Sequence, residues 1–505
     1  MGTALPSIVH ELQGTDSFAW VSAAYTLSTT AVLPLNGRLA EIFGRRDVLL
    51  SGLLLFAVGS VVCARAESMT VLIVGRAIQG LGSGGIQTLT TIVVSDLVPL
   101  KERGLYNGIT GATFTIATGA GPFLGGAIVQ KTTWRWLFYL NLPLAGIAVF
   151  VVLAFLKLRK PARPPVRTIL STVDWIGNTL IIASTASCVI ALTWAGIKFP
   201  WTSANVLCPL IIGVAGLVGA VLYNVLYAAH PTLPLRIMSN RTSLAGYFGS
   251  AIHALVITSV NFYLPVYFQA AKVASPILSG VYIFPFVAVL SPAAIVQGIV
   301  VAKYGCYRLM NVLGWCLMLI GVGLMLLLNP DTPIGVSVPF QMIASVGLGF
   351  LYATTFSVLA PLDVTDNAAA LAFLLFCRTF PQSWSISIGA SVLQNKLRST
   401  LPATFIQQFT SDEDITYIAI PLIKGLEEPL QRQCRQAFAD SMHLLWKILL
   451  VLCAVGLLSV GLQRNIDLHS KTDSRWGMAD KKEKSASPNL EDIERVDEEK
   501  EAPSV

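Results

Sequence analysis

A cation inside an apolar helix, with nothing acidic near it in sequence, can bind an anion, tune a neighbouring proton or bridge two helices. Arg76 is such a residue, near the start of the apolar run that begins at Val74. An unpaired charge there costs about 3 kcal/mol or more in hydrocarbon, so it marks a functional candidate. Gln79 follows one turn later and shares its polar face. In the next apolar run Pro122 stands among Gly119, Gly121, Gly125 and Gly126. Proline removes a backbone donor and the small residues admit a neighbouring backbone, so this segment is expected to be a packed hinge. The polar elbow Asp96 to Arg103 joins the two runs. A buried charge beside a bendable helix suits transport, where no covalent bond is broken. Other chemistry lacks its residues. The 5 histidines form no ligand or acyltransferase spacing, the 8 cysteines are scattered without a CxxC pair, and no GxxxxGK phosphate loop occurs. No metal and no cofactor is therefore expected, the chain is not read as an enzyme, and coupling must come from an ion gradient or be absent. His253 alone of the histidines lies within an apolar span, where a packed interface residue is favoured over a proton carrier.

The elements that must position these residues are membrane helices. Of 505 residues 54% are hydrophobic and only 12% charged, against about a quarter charged in soluble domains. Runs long enough to cross a bilayer recur almost end to end, at 17–36, 48–65, 70–95, 106–130, 135–156, 174–196, 204–228, 244–268, 276–302, 309–328, 335–360, 368–393 and 442–463. An all-α polytopic transmembrane bundle follows, and a water-soluble enzyme is excluded. The net charge of +7 does not point to nucleic acid, because the cations fall in short loops between spans. With the loop Gly37 to Arg46 in the cytosol, linkers on that side hold roughly fourteen Lys and Arg against roughly five opposite. The sequon Asn240-Arg241-Thr242 then faces the cytosol and is expected to stay unglycosylated.

Two segments echo each other. Asn36 to Asp47 and Gln297 to Arg308 share a glycine, then six residues on an aromatic and a second glycine, then cations, each after the second span of a six-span half. Parallel halves of this kind are a transporter plan. The expected organisation is a first half over 1–156, a basic cytosolic linker over 157–173, two inserted helices over 174–228, a second half over 229–463 with a long outer loop at 395–440, and a disordered cytosolic tail over 464–505.

GRLAEIFGRR, Gly37 to Arg46, resembles the cytosolic signature loop of the major facilitator superfamily, with Glu41 for the usual aspartate and Ile42 for the usual basic residue. In this loop Gly37 allows close helix contact, Gly44 the tight turn, and Glu41 can pair with a cation on a neighbouring helix, with Arg45 and Arg46 completing the motif. Val74 to Gly85 resembles the fourth-span motif, whose arginine, at the place of Arg76, is associated with proton transfer. Arg76 could also hydrogen-bond substrate, modulate a carboxylate or bridge helices. Gly108, Gly121, Pro122, Gly125 and Gly126 match the fifth-span antiporter motif, with Ala117 at its middle glycine. Thr133 to Gly146, Asp174 to Asn178 and Pro234 to Tyr247 are similar to the fungal fourteen-span drug:proton antiporter group. Trp134 and Trp136 in the first of these read as interfacial belt residues. The resemblance implies two six-helix halves plus two inserted helices.

It further implies a proton-coupled exporter of hydrophobic small molecules, drugs or secondary metabolites, monomeric in the lipid bilayer. The plasma membrane is the expected place, a vacuolar or vesicle membrane the alternative. Asn261, Tyr263, Tyr267, Gln269, Gln341 and Arg378 are the polar and aromatic candidates for lining the path in the second half. An uptake symporter such as a siderophore carrier, or a truncated non-transporting membrane protein, are the rival readings. Thr3 to Val9 resembles the end of the family's first span, whose earlier part carries an aspartate. Residues 1–12 are too few to cross, since spanning takes about 17 to 25 residues. The expectation is that Met1 is not the functional start and that the complete protein has a further span with the coupling carboxylate.

Overall fold

The computed structural model describes residues 18–103, 131–158, 174–195, 199–228, 236–408 and 415–468, together with residues 8, 11, 12 and isolated positions between 105 and 128. Among them the order is α1 (Phe18–Phe43), α2 (Arg45–Ala64), α3 (Met69–Leu97), α4 (Trp136–Phe155), α5 (Trp175–Trp194), α6 (Ala204–Leu226), α7 (Arg241–Ala270), α8 (Pro276–Tyr304), α9 (Tyr307–Met325), α10 (Ile334–Phe350), α11 (Thr354–Leu359), α12 (Asn367–Thr400), α13 (Ile415–Ile423) and α14 (Leu430–Val460). No strand occurs among the described residues, and 10 of their helices are long and apolar enough to cross a membrane. The chain is a multi-pass membrane protein.

Polar residues just ahead of the apolar runs start the helices. The side chain of Ser68 accepts from the Val71 amide, Asp174 from Gly177, and Asn240 from Thr242 at 2.8 Å, each occupying one of the amide donors that a helix start leaves open. Ser275 does the same for α8, with Pro276 in the first turn, where the missing donor costs nothing. The echoed motif appears as a repeated corner. Gly44 (φ 92°) separates α1 from α2 and Gly305 (φ 66°) separates α8 from α9, and these are the positive-φ glycines of the described chain. A side chain is disfavoured at such dihedrals, so glycine lets one helix end and the next begin almost at once.

Within the first half α3 packs against both α1 and α2. A Cβ on Gly82 would lie 2.4 Å from the Phe56 amide nitrogen, and one on Gly80 2.4 Å from the Tyr25 carbonyl, so close backbone approach requires glycine there. The second half has its own core, in which Tyr263, Phe286, Trp315, Met318, Leu348 and Trp446 are buried together. At the basic end of the bundle one apolar cluster crosses between the halves and joins Ala40, Val48 and Leu89 to Val301, Phe356 and Leu371. α12 meets α1 and α3, and α5 lies against both α1 and α12.

Several expectations change. Gly37 to Phe43 is not loop but the last turns of α1, and the break falls at Gly44 alone. The outer segment 395–440 is largely helical: α12 runs on to Thr400, α13 follows, and α14 begins at Leu430. Cys434, Ala437 and Phe438 of α14 pack there with Leu397 and Phe405. Trp134 is no belt residue, being 2% exposed and donating from Nε1 to Glu11 at 2.7 Å, whereas Trp136 is exposed. The tail starts ordered. Tyr307 donates to the Arg464 carbonyl at 2.7 Å and accepts from the Ile466 amide at 2.8 Å, which pins the chain beyond α14 to the basic end. Linker residues 159–173, tail residues 469–505 and the motif residues Gly121, Pro122, Gly125 and Gly126 lie outside the described residues.

Candidate transport site

Arg76 sits on the buried face of α3, 9% exposed. Its Nε donates to the Val21 carbonyl at 2.9 Å, its Nη1 donates to Gln79 Oε1, and its guanidinium lies 4.2 Å from the centre of the Tyr25 ring. Both Val21 and Tyr25 belong to α1, so the cation grips a neighbouring helix. Gln79 passes the network on, donating from Nε2 to Ser60 Oγ of α2 at 2.8 Å, and Tyr25 exchanges a 2.6 Å bond with Ser83. One turn apart on α3, Arg76 and Gln79 thus act together. Among the described residues no carboxylate pairs with Arg76. A delocalised, weakly hydrated guanidinium tolerates this arrangement of neutral acceptors and an aromatic face better than an ammonium would.

At the basic end the signature residues take distinct places. Gly37 faces α12, where a Cβ would come within 2.7 Å of Ala372 Cβ. Gly108 makes the matching contact for the other pair of helices, since a Cβ there would lie 2.4 Å from Ile295 of α8. Among the described residues Glu41 pairs with Arg38 on its own helix at 2.7 Å and with no cation on a neighbouring one, the i, i+3 spacing placing the two side by side. Arg45 is the residue that reaches across, from Nε to Asp96 Oδ2 at 2.9 Å, with Nη1 on the Ala40 carbonyl at 2.7 Å. Arg46 donates to the Leu153 carbonyl in the last turn of α4, where the helix dipole favours a cation. Beside this pair Arg103 donates to the Ser95 and Val98 carbonyls at 2.6 and 2.8 Å. Burial pulls the Arg103 guanidinium down to about 10, and the Asp96 charge opposes that pull. Asp96 is the functional residue that sequence reasoning missed as a partner. Its signal was a lone acid closing an apolar span 51 residues from Arg45.

The second-half candidates divide. Tyr263 is fully buried, donates to the Ile386 carbonyl and packs on Gly389. Tyr267 is 1% exposed and donates to the Asn329 carbonyl at 2.9 Å. Gln269 bridges to Ser279 at 2.9 Å, while Gln341 is buried and donates weakly to Ser337. In this conformation the two tyrosines and Gln341 belong to the packed core and present no open surface to a ligand, so their expected lining role does not match their places here. Asn261 is exposed. Arg378, on α12, reaches Thr355 Oγ1 at 3.0 Å. His253 is buried against the Leu348 carbonyl, 3.1 Å from Nε2, as a helix-interface residue would be.

A helical bundle with paired glycine contacts between two sets of helices and an arginine held inside one of them defines the class as a membrane transporter. Residues 1–389 match the Major Facilitator Superfamily, and the chain belongs to that family. It is 37% identical over 489 residues to the MFS-type transporter gkaD of Penicillium citrinum, covering 95% of this chain and 84% of that protein. Efflux pump FUS6 of Gibberella moniliformis is 36% identical over 504 residues, covering 98% and 89%. Among solved structures the proton:xylose symporter XylE aligns with a TM-score of 0.58 at 13% identity over 93% of both chains, a likeness of fold alone.

Proposed function

We propose that the chain exports hydrophobic small organic molecules in exchange for protons, by alternating access between its two halves, as a monomer in the plasma membrane. The observation that carries this reading is the grip of Arg76 on α1. Through Gly37 and Ala372 that same helix forms the contact with the other half, so the bonding state of a buried cation is tied to the position of the element that must move. The efflux pumps among the relatives support the outward direction, and the resemblance of Gly108 and the following glycines to an antiporter motif supports exchange. Substrate would sit near the midplane between the halves.

The test is efflux of a lipophilic fluorescent dye from cells stripped of their own pumps. Expression of the chain is expected to lower retained dye, and a protonophore to abolish the effect. Arg76→Ala is expected to remove export at native surface abundance. Arg76→Lys should restore little, because a single ammonium cannot hold the Val21 carbonyl and Gln79 while stacking on Tyr25. Dye accumulation in place of loss would favour the uptake reading, and export by the alanine variant at the native rate would remove Arg76 from coupling.

A further inference from the structure

Arg76 is well supplied with acceptors, but Arg378 is not. Its Nη2 finds the Thr355 hydroxyl at 3.0 Å and that of Thr354 at 3.4 Å, while its Nε is shut off from solvent with no acceptor. Among the described residues no carboxylate pairs with it. The Tyr352 ring lies 5.3 Å from the guanidinium, and the same ring meets the imidazole of His253 at 5.4 Å. With His253 Nε2 facing the Leu348 carbonyl, its Nδ1 is left without a partner in a side chain only 3% exposed. One buried donor without an acceptor, Arg378 Nε–H, and one buried acceptor without a donor, His253 Nδ1, therefore flank one aromatic ring.

Place supports the same conclusion. Arg378 stands six residues beyond Ala372 on α12, about 9 Å further from the seam contact at 1.5 Å per residue, towards the middle of the membrane. Beside it the α10 helix gives way to a 3-10 turn at Leu351–Ala353 before α11 resumes. Interrupted helices of this kind surround substrate sites in transporters, and a mid-helix 3-10 stretch marks a functional position.

A guanidinium with a free Nε–H next to Nη2 offers adjacent donors in the planar fork that fits a carboxylate. A neutral apolar ligand would leave the cation unanswered. We infer that this second-half site takes the carboxylate of an otherwise apolar substrate, so that the transporter selects organic acids over their neutral esters. The inference rests on the export reading and names its substrate class.

The experiment uses the full chain in lipid nanodiscs and three probes: naphthalene-2-carboxylate, its methyl ester, and inorganic phosphate. The acid is expected to bind at least about tenfold more tightly than the ester, as a charge-assisted fork predicts, and phosphate not to compete. In Arg378→Gln the ratio of acid to ester affinity is expected to fall to about one, whereas Arg378→Lys should keep part of it. The ratio is taken from saturable binding only, which a misfolded variant would not show, and the lysine variant decides if the glutamine variant does not fold. Equal binding of acid and ester by the native chain, phosphate displacing the acid, or a ratio unchanged in Arg378→Gln would each overturn the inference. Cells exporting the ester as fast as the acid would overturn it while leaving export standing. Cells exporting neither would sink the export reading, and the nanodisc ratio would still decide this one.

Discussion

Replacing Asp96 by asparagine keeps the shape of the side chain and removes only its charge. Arg45 and Asp96 are 2% and 4% exposed at their side chains, so neither can turn to water when the other is neutralised. After Asp96→Asn, Arg45 keeps the Ala40 carbonyl, a neutral acceptor, and Arg103 loses the charge that opposes its burial. Breaking a buried pair from one side typically costs about 3 to 5 kcal/mol, and that is the destabilisation expected here. The double variant Arg45→Met/Asp96→Leu removes the desolvation of both ions and should recover most of the loss, to within about 2 kcal/mol of the native protein. The assay is unfolding of the purified full chain in mixed micelles, followed by tryptophan fluorescence, with Asp96→Asn measured beside all four corners of the Arg45→Met, Asp96→Leu cycle. A single variant within about 1 kcal/mol of native, or a double variant as unstable as the single, would refute this account of how the basic end is held.

Glu11 is bound by Arg135 and Trp134, and the Arg135 hydrogen bond leads in holding its carboxyl below the usual range, partly opposed by burial. A lowered folded-state value means its contribution is complete above the ordinary carboxylate pKa and is lost as pH falls through the lowered one. Protection of the chain at Glu11 and Leu12 from proteolysis should therefore fall in acid, and Glu11→Gln should flatten that dependence. Val273 is a β-branched residue at φ 53° whose side chain packs on the cluster of Leu397, Phe405 and Ile415, so in Val273→Gly the relief of strain and the loss of burial oppose each other and the net change in the same unfolding assay should stay within about 1 kcal/mol. Asn240 caps α7, so Asn240→Ala should cost about 1 kcal/mol. A glycosidase-sensitive mobility shift at Asn240 would overturn the assignment of the basic end to the cytosol.

What could be read from sequence was local. Gly44 was legible because a glycine followed by cations after an apolar run can hardly be anything but a corner, and Gly305 because it repeats the pattern. The end of α1 was not, since Arg38 and Glu41 look like loop residues to a hydropathy scale but stabilise the helix as a pair one turn apart. For the same reason the outer halves of α12 and α14 were hidden: hydropathy reports the thickness of the bilayer, and a helix can continue past it with polar side chains in water. Arg76 and Gln79 were found by their spacing, whereas the Arg45–Asp96 pair spans 51 residues and the Trp134–Glu11 bond 123. No local pattern encodes which distant partner a buried polar group will meet. Burial of Tyr263 and Tyr267 was illegible too, because their helix α7 is apolar nearly all round and gives no sign of which face turns inward.

The position of α5 bears on how a molecule dissolved in lipid could reach the centre. Cys188 and Val189 of α5 cover Leu27 of α1 and Phe376 and Phe380 of α12, so the inserted helix stands outside one of the two seams between the halves. A sideways entry from the bilayer along that flank is walled off for as long as α5 stays in place.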